Sequence, residues 1–309
     1  MGEQRRGVIP PTPRRYGRPR PTPRQLAARR AIAALAILLL IALFGWAISL
    51  AVGGGSSATP PTTTTSTLPP PKPLRIIFPE GYTRADMAHR ITVVRRIAQR
   101  KRHKNPRLNA RAYLRLTSTP NLVPAAFGSK PKNLEGFMFP ATYDFLAATT
   151  TRQLVLSQLK AFTTNWNKLD LSYAKSKNLT PYDVLIIASM VEKEALAPDE
   201  RDKIARVIYN RLHAHMPLGI DATIRYALHV PGTQSLRESQ LNSDTPYNTR
   251  KFAGLPPGPI ANPGLASIQA AAHPADGDWL YFVRKPDKVH HFFTASYRKF
   301  VNYENAHGY

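Results

Sequence analysis

Apolar and polar positions along this chain fall into three regimes. Residues 31–52, AIAALAILLLIALFGWAISLAV, run 22 positions without a charge. An apolar helix needs about 20 residues to cross the hydrocarbon core, so this stretch reads as a membrane-spanning helix. A cleaved signal peptide has a shorter apolar region of about 7–15 residues, and here 30 residues precede the run. Residues 53–73, GGGSSATPPTTTTSTLPPPKP, then hold too little apolar surface to offset chain entropy, and read as a flexible spacer.

From residue 74 the patterning becomes that of folded elements. LRIIF at 74–78 reads as a short strand stopped by Pro79, Glu80 and Gly81. Thr83 followed three residues later by Asp86 marks a helix start, with Met87, Ile91 and Val94 on its apolar face. A second helix over 110–116 completes a small βαα unit. NLEGFMFPATYDF at 133–145 is compact and aromatic, and places Glu135 between Leu134 and Gly136. Spacing alone reads Glu135 as a side chain that caps a turn or meets solvent.

Thr180, Pro181 and Asp183 open the next helix with a hydroxyl cap, a proline at its first position and an acid at its third. VLIIASMVEKEA follows, apolar almost all the way round, and such a helix is buried. At about 100° per residue its apolar centre lies near Val184, Ile187 and Val191. Glu194 projects about 50° from that centre and Glu192 about 110°, nearer a polar arc with Ser189 and Lys193. Glu194 is therefore the acid expected to face a partly dry interior. Burial raises a carboxyl pKa, which suits a proton donor at neutral pH. On the helix pattern alone, pairing with a basic side chain near the helix end is the competing reading.

DERDKIARVIYNRLH at 199–213 is amphipathic, capped by Asp199, with Asn210 and Arg211 near its end. Residues 216–228 read as a strand or loop carrying Asp221. TPYNTRKFAGLPPGPIANPG brings Tyr247 and Asn248 to a loop stiffened by four prolines between Gly254 and Gly264, a form suited to a cleft wall. A short alanine-rich helix spans 265–272. Strands over 279–283 and 290–294 flank an RKPDK turn, so His290 and His291 point to opposite faces and cannot share one metal.

Charge sharpens the orientation. The 309 residues carry a net charge of +24, and residues 1–30 hold nine arginines against the single acid Glu3. Positive charge before the apolar run puts the N-terminus in the cytoplasm and the remainder outside. A second basic block runs from Arg95 to Arg115. Anionic lipid headgroups or wall polymers account for it as well as nucleic acid does, and no nucleic-acid-binding motif accompanies it, so no nucleic-acid partner is expected. The absence of cysteine removes disulfides, thiol catalysis and zinc–thiolate sites.

Nine segments, NLEGFMFPATY, IASMVEKEA, ERDKIARVIYNRL, MPLGIDAT, TPYNTR, GLPPGPIANPG, AAAHPA, LYFV and HHFFT, resemble in order and spacing the MltG/YceG-like endolytic murein transglycosylases. The resemblance covers about residues 75–297. It implies a lyase that cleaves MurNAc–GlcNAc bonds of nascent peptidoglycan to leave 1,6-anhydro-MurNAc ends, without metal or cofactor. It also implies single-pass anchoring in the cell membrane, association with peptidoglycan synthases, and a role in ending strand elongation. The second glutamate of the E-K-E run is the family's acid, here Glu194. Glu135, Asn210, Asp221, Tyr247, Asn248 and His290 match patterned positions and are carried over as substrate-binding candidates.

This chain departs from the pattern in places. The usual D-P-T is Asp221-Ala222-Thr223, Y-N-T-Y is Tyr247-Asn248-Thr249-Arg250, and Arg298-Lys299-Phe300 replaces an E-H-N-like stretch. The expected architecture is α+β. It comprises a basic cytoplasmic tail (1–30), a transmembrane helix (31–52), a linker (53–73), a truncated LysM-like basic unit (74–120) and a mixed α/β catalytic domain (121–309). A non-catalytic peptidoglycan-binding scaffold is the alternative.

Overall fold

The computed structural model describes residues 72–308, which form a mixed α/β fold. The tail and apolar run expected over 1–52 lie outside the described residues, as does all but the end of the spacer. Among the described residues no helix is long and apolar enough to cross a membrane.

Strand β1 (Leu74–Ile77) buries Leu74 and Ile76 and exposes Arg75 and Ile77, the alternation a half-buried strand requires. Its partner is β2 (Thr142–Phe145), antiparallel, with Leu74 opposite Phe145 and Ile77 opposite Thr142. The small βαα unit is thus completed by a strand from beyond residue 120. Between the two strands run α1 (Arg84–Arg102), closed by the Thr83–Asp86 capping box, and α2 (Ala110–Thr117), capped by Asn109. Both are fastened to α3 (Thr151–Trp166), a helix not among the expected elements. The buried Tyr113 hydroxyl donates to Gln158 Oε1 at 2.9 Å and lies 3.2 Å from Met87 Sδ.

The short α4 (Ser172–Ser176) leads into α5 (Pro181–Glu194), the axis of the fold. Its start carries the expected Thr180 cap and proline, and Val184, Leu185, Ile187, Ala188, Met190 and Val191 have no exposed surface. Helix α6 (Arg201–His213) and helix α9 (Leu265–Ala272) pack against it and against each other. Two expectations differ here. Asp199 does not cap α6, because Pro198–Glu200 form a 3-10 turn and the helix starts at Arg201 without a side-chain cap. Residues expected as strand or loop form α7 (Asp221–Leu228), whose buried Thr223 and Ile224 face inward.

After the one-turn α8 (Glu238–Leu241), the proline-rich loop is bound along α5. Ser189, expected in a polar arc, is fully buried and accepts from the Ile260 N–H at 3.0 Å. Asn262, also fully buried, accepts from Met138 N–H and donates to the Tyr82 carbonyl, each at 2.9 Å. Gly136 sits at φ +88, and a Cβ there would come within 2.7 Å of Pro259. Glycine is required on both counts. The chain ends with the hairpin of β3 (Tyr281–Arg284) and β4 (His291–Thr294), which pairs Arg284 with His291, and with α10 (Tyr297–His307).

Candidate active site

Two glutamates near the end of α5 have different environments. One Glu192 carboxylate oxygen, Oε2, accepts from the Gly264 N–H at 3.0 Å and from the Ser267 hydroxyl at 2.7 Å. This carboxylate is therefore engaged in capping α9. Glu194 is the last residue of α5, half-buried, with the Ala222 N–H of the first turn of α7 directed toward its carboxyl. Burial pushes its carboxyl up to about 7. The Arg284 guanidinium opposes the rise, Asp221 adds to it, and the Ala222 N–H and Arg225 oppose it further. The C-terminal end of α5, with its unpaired carbonyls, also disfavours a negative charge. A carboxyl of this kind is part protonated at neutral pH and able both to give and to take a proton.

Two backbone segments place charges near that carboxyl, and a third reaches it through Asp221. Asp221 and Arg225 belong to α7, Arg284 to β3, and Arg250 to the Y-N-T-R segment, where its Nε donates to Asp221 Oδ1. Two of the three departing motifs thus touch each other, since Arg250 pairs with Asp221 and Thr249 Oγ1 lies 3.1 Å from Thr223 Oγ1. Thr249 Oγ1 also accepts from the Ile220 N–H at 3.0 Å, which fixes the entry into α7. Arg211, half-buried with its guanidinium over the Tyr281 ring, donates to the Leu218 and Leu280 carbonyls at 2.6 Å each. It thereby ties the approach to Asp221 to the strand bearing Arg284.

Other residues singled out from sequence occupy distinct places. Glu135 is buried and accepts from the Arg84 N–H at 3.0 Å, Asn262 Nδ2 at 2.8 Å and the Tyr226 hydroxyl at 3.2 Å. It caps the first turn of α1, as its setting in a turn suggests. Burial raises its carboxyl to about 7, opposed by the Arg84 charge and these hydrogen bonds. Tyr247 packs its ring 5.3 Å from that of Tyr226. Helix α7 therefore joins two groups, Glu194 with Asp221 at its start and Glu135 with Tyr247 through Tyr226. Asn248 is fully buried and donates to the Leu241 and Ser243 carbonyls at 2.8 Å each. Asn210 donates to the Gly277 and Trp279 carbonyls at 3.1 and 2.9 Å, holding the entry to β3.

His290 stands in a solvent-facing turn with Nδ1 3.0 Å from Asp287 Oδ2. Its neighbour His291 is the histidine carried inward, its N–H donating to Glu200 and its Nδ1 2.7 Å from Glu200 Oε2. Sequence reasoning missed this buried pair, as it missed Arg84, Tyr226, Arg284 and Asn262. The alternation of HHFFT could have pointed to one inward histidine, but nothing local named Glu200 as its partner. Among the described residues no three histidine or acidic side chains gather as a metal-binding group.

A family model described as the YceG-like family matches residues 57–306. The chain belongs to the YceG-like family. Similar proteins include the endolytic murein transglycosylase of Bacillus subtilis strain 168, 41% identical over 152 residues, or 49% of this chain and 42% of that protein. The endolytic murein transglycosylase of Streptococcus pneumoniae R6 is 35% identical over 226 residues, 67% of this chain and 40% of that protein. The chain thus spans about two fifths of the length of these curated relatives. A crystal structure of a YceG-like protein from Listeria monocytogenes is 29% identical, with a TM-score of 0.58 over 75% of this chain and 76% of that one.

Proposed function

We propose that this chain is an endolytic peptidoglycan transglycosylase in which Glu194 serves as both acid and base. The observation that carries this reading is a half-open carboxyl raised to about 7, beside a second glutamate already committed to capping. The relatives named as endolytic murein transglycosylases support the same substrate class.

Glu194 gives its proton to the oxygen between N-acetylmuramic acid and N-acetylglucosamine as the bond from that oxygen to muramic C1 breaks. The neighbouring N-acetyl oxygen supports the cationic C1. The muramic C6 hydroxyl then bonds to C1 and returns its proton to Glu194, closing a 1,6-anhydro ring without consuming water. Most glycosidases set two carboxylates across the bond. Here the nearby Asp221 is paired with Arg250, which suits a mechanism that needs one.

Asp221 and Tyr247 are the expected sugar contacts nearest this chemistry. Glu135, Asn210 and Asn248 act through the backbone they hold, and His290 meets only the outer part of a long strand. Residues 31–52 anchor the chain in the cell membrane with the N-terminus cytoplasmic, residues 53–73 act as the spacer, and the catalytic part works outside beside the peptidoglycan synthases. The unit over 74–120 is a truncated LysM-like grip on glycan.

The test is mass analysis of products from purified glycan strands with the full chain and with Glu194→Gln. Anhydro-muramic ends that fall at least about 100-fold in the variant, with glycan binding kept, support the proposal. Hydrated reducing ends, or equal turnover by the variant, would contradict it, and binding without any product from the parent would favour the scaffold.

A further inference from the structure

The cleavage chemistry makes no use of the cleft between α1 and α2. Between Asp86 and Glu135 the sequence holds no acid, against twelve lysines and arginines. Among the described residues Lys130 alone of these twelve reaches a carboxylate within 4 Å, that of Asp183 at 3.8 Å. The remaining charge is therefore unbalanced within this part of the fold, and its attraction is for something outside it.

Part of that charge is organised around a cavity of about 260 Å³. Ile91, Thr92 and Arg95 of α1 form one wall, and Asn109, Ala110 and Arg111 form the other. Arg95 Nε is enclosed yet has no hydrogen-bond partner, and neither Arg95 nor Arg111 is paired with an acid among the described residues. A buried donor without a partner is unfavourable, so such a group points to a ligand or solvent that completes it. The second wall is also the start of α2. Asn109 Oδ1 takes the Ala112 N–H at 2.9 Å, while the N–H groups of Ala110 and Arg111 precede the first intrahelical bond. Two lining arginines, Arg95 half-buried and Arg111 exposed, beside a helix start, with no acid on the lining, fit a tetrahedral oxyanion.

We propose that the α1–α2 cleft is a binding site for a phosphate group, held by Arg95 and Arg111 over the first turn of α2. The group is either the headgroup phosphate of an anionic lipid or a soluble phosphate ester.

The test uses the full chain in dodecyl maltoside micelles, which contain no phosphate, in chloride buffer. Calorimetric titration with inorganic phosphate and with glycerol 1-phosphate is expected to give saturable one-to-one binding. Arg95→Gln with Arg111→Gln is expected to weaken it at least about 10-fold. Arg96→Gln with Arg100→Gln removes the same charge from exposed positions of α1 outside the cleft, and is expected to change it less than about twofold. Should the first pair disturb folding, Arg95→Lys with Arg111→Lys keeps the charge, loses the fork and is expected to weaken binding to an intermediate degree.

Phosphatidylglycerol added to the micelles tells the sources apart. Competition with inorganic phosphate assigns the cleft to lipid headgroups, and its absence assigns it to a soluble ester. Equal weakening by both glutamine pairs would mean diffuse attraction for any polyanion, nucleic acid included, and would overturn the proposal. So would the absence of saturable phosphate binding by the parent chain.

Discussion

Glu192 and Glu194 lie two residues apart on α5 and differ in what their carboxyls meet. One caps α9 through Gly264 and Ser267, while the other keeps a partly open carboxyl raised to about 7. Activity that needs protonated Glu194 is expected to fall as pH rises through about 7. Its neighbours should move that limb in opposite directions. Arg284→Gln removes a charge that favours ionisation and shifts the limb to higher pH, whereas Asp221→Asn removes a like charge and shifts it lower. Rate measurements on glycan between pH 5 and 9 check both signs. Stability follows the same logic. Glu194 and Glu135 have folded-state values above the ordinary 4.5, so their contribution is full below about 4.5 and is lost as pH rises through about 7. Glu194→Gln is accordingly expected to raise the melting temperature more at pH 8 than at pH 4, as calorimetry would record.

At the scale of elements, the cleft wall depends on contacts between α5 and the proline-rich loop. Ser189→Ala leaves the Ile260 N–H buried without a partner and is expected to cost about 1–3 kcal/mol. Gly136→Ala forces an unfavourable φ and a clash with Pro259, with a cost of the same order, about 1–3 kcal/mol. Urea unfolding measures both. The start of α5 and the different settings of Glu192 and Glu194 were legible because they depend on local order: cap, proline, acid, then an angle around one helix. The polar arc was misread for a related reason. Ser189 looks like a solvent-facing residue until a loop some 70 positions later supplies its partner. Residues 221–228 hid their helix because Asp221 and Ala222 follow Gly219 without a recognisable cap, and what orders that start is Thr249, a distant residue.

Across the whole of the described fold, the expected boundary at residue 120 runs through shared structure. Strand β1 pairs with β2, Tyr113 bonds to Gln158, and Arg84 gives its N–H to Glu135. Cutting there strands an edge, a buried hydroxyl and a buried carboxylate at once. A fragment of residues 121–309 is expected to lack a cooperative thermal transition that residues 72–309 retain, as circular dichroism would register. None of these partners is nearer than about 45 positions in sequence, which is why composition and spacing drew the line where charge density changes. The basic unit is chemically distinct from the remainder yet shares its core with it.

A single acid and base at Glu194 requires that one carboxyl at the end of α5 hold its proton near neutral pH. Carbon-13 NMR of side-chain carboxyl groups in the glutamate-labelled full chain tests this most directly. A resonance with a midpoint near 7 that disappears in Glu194→Gln and persists in Glu135→Gln is the predicted result. A Glu194 resonance that titrates near 4.5 would contradict the account.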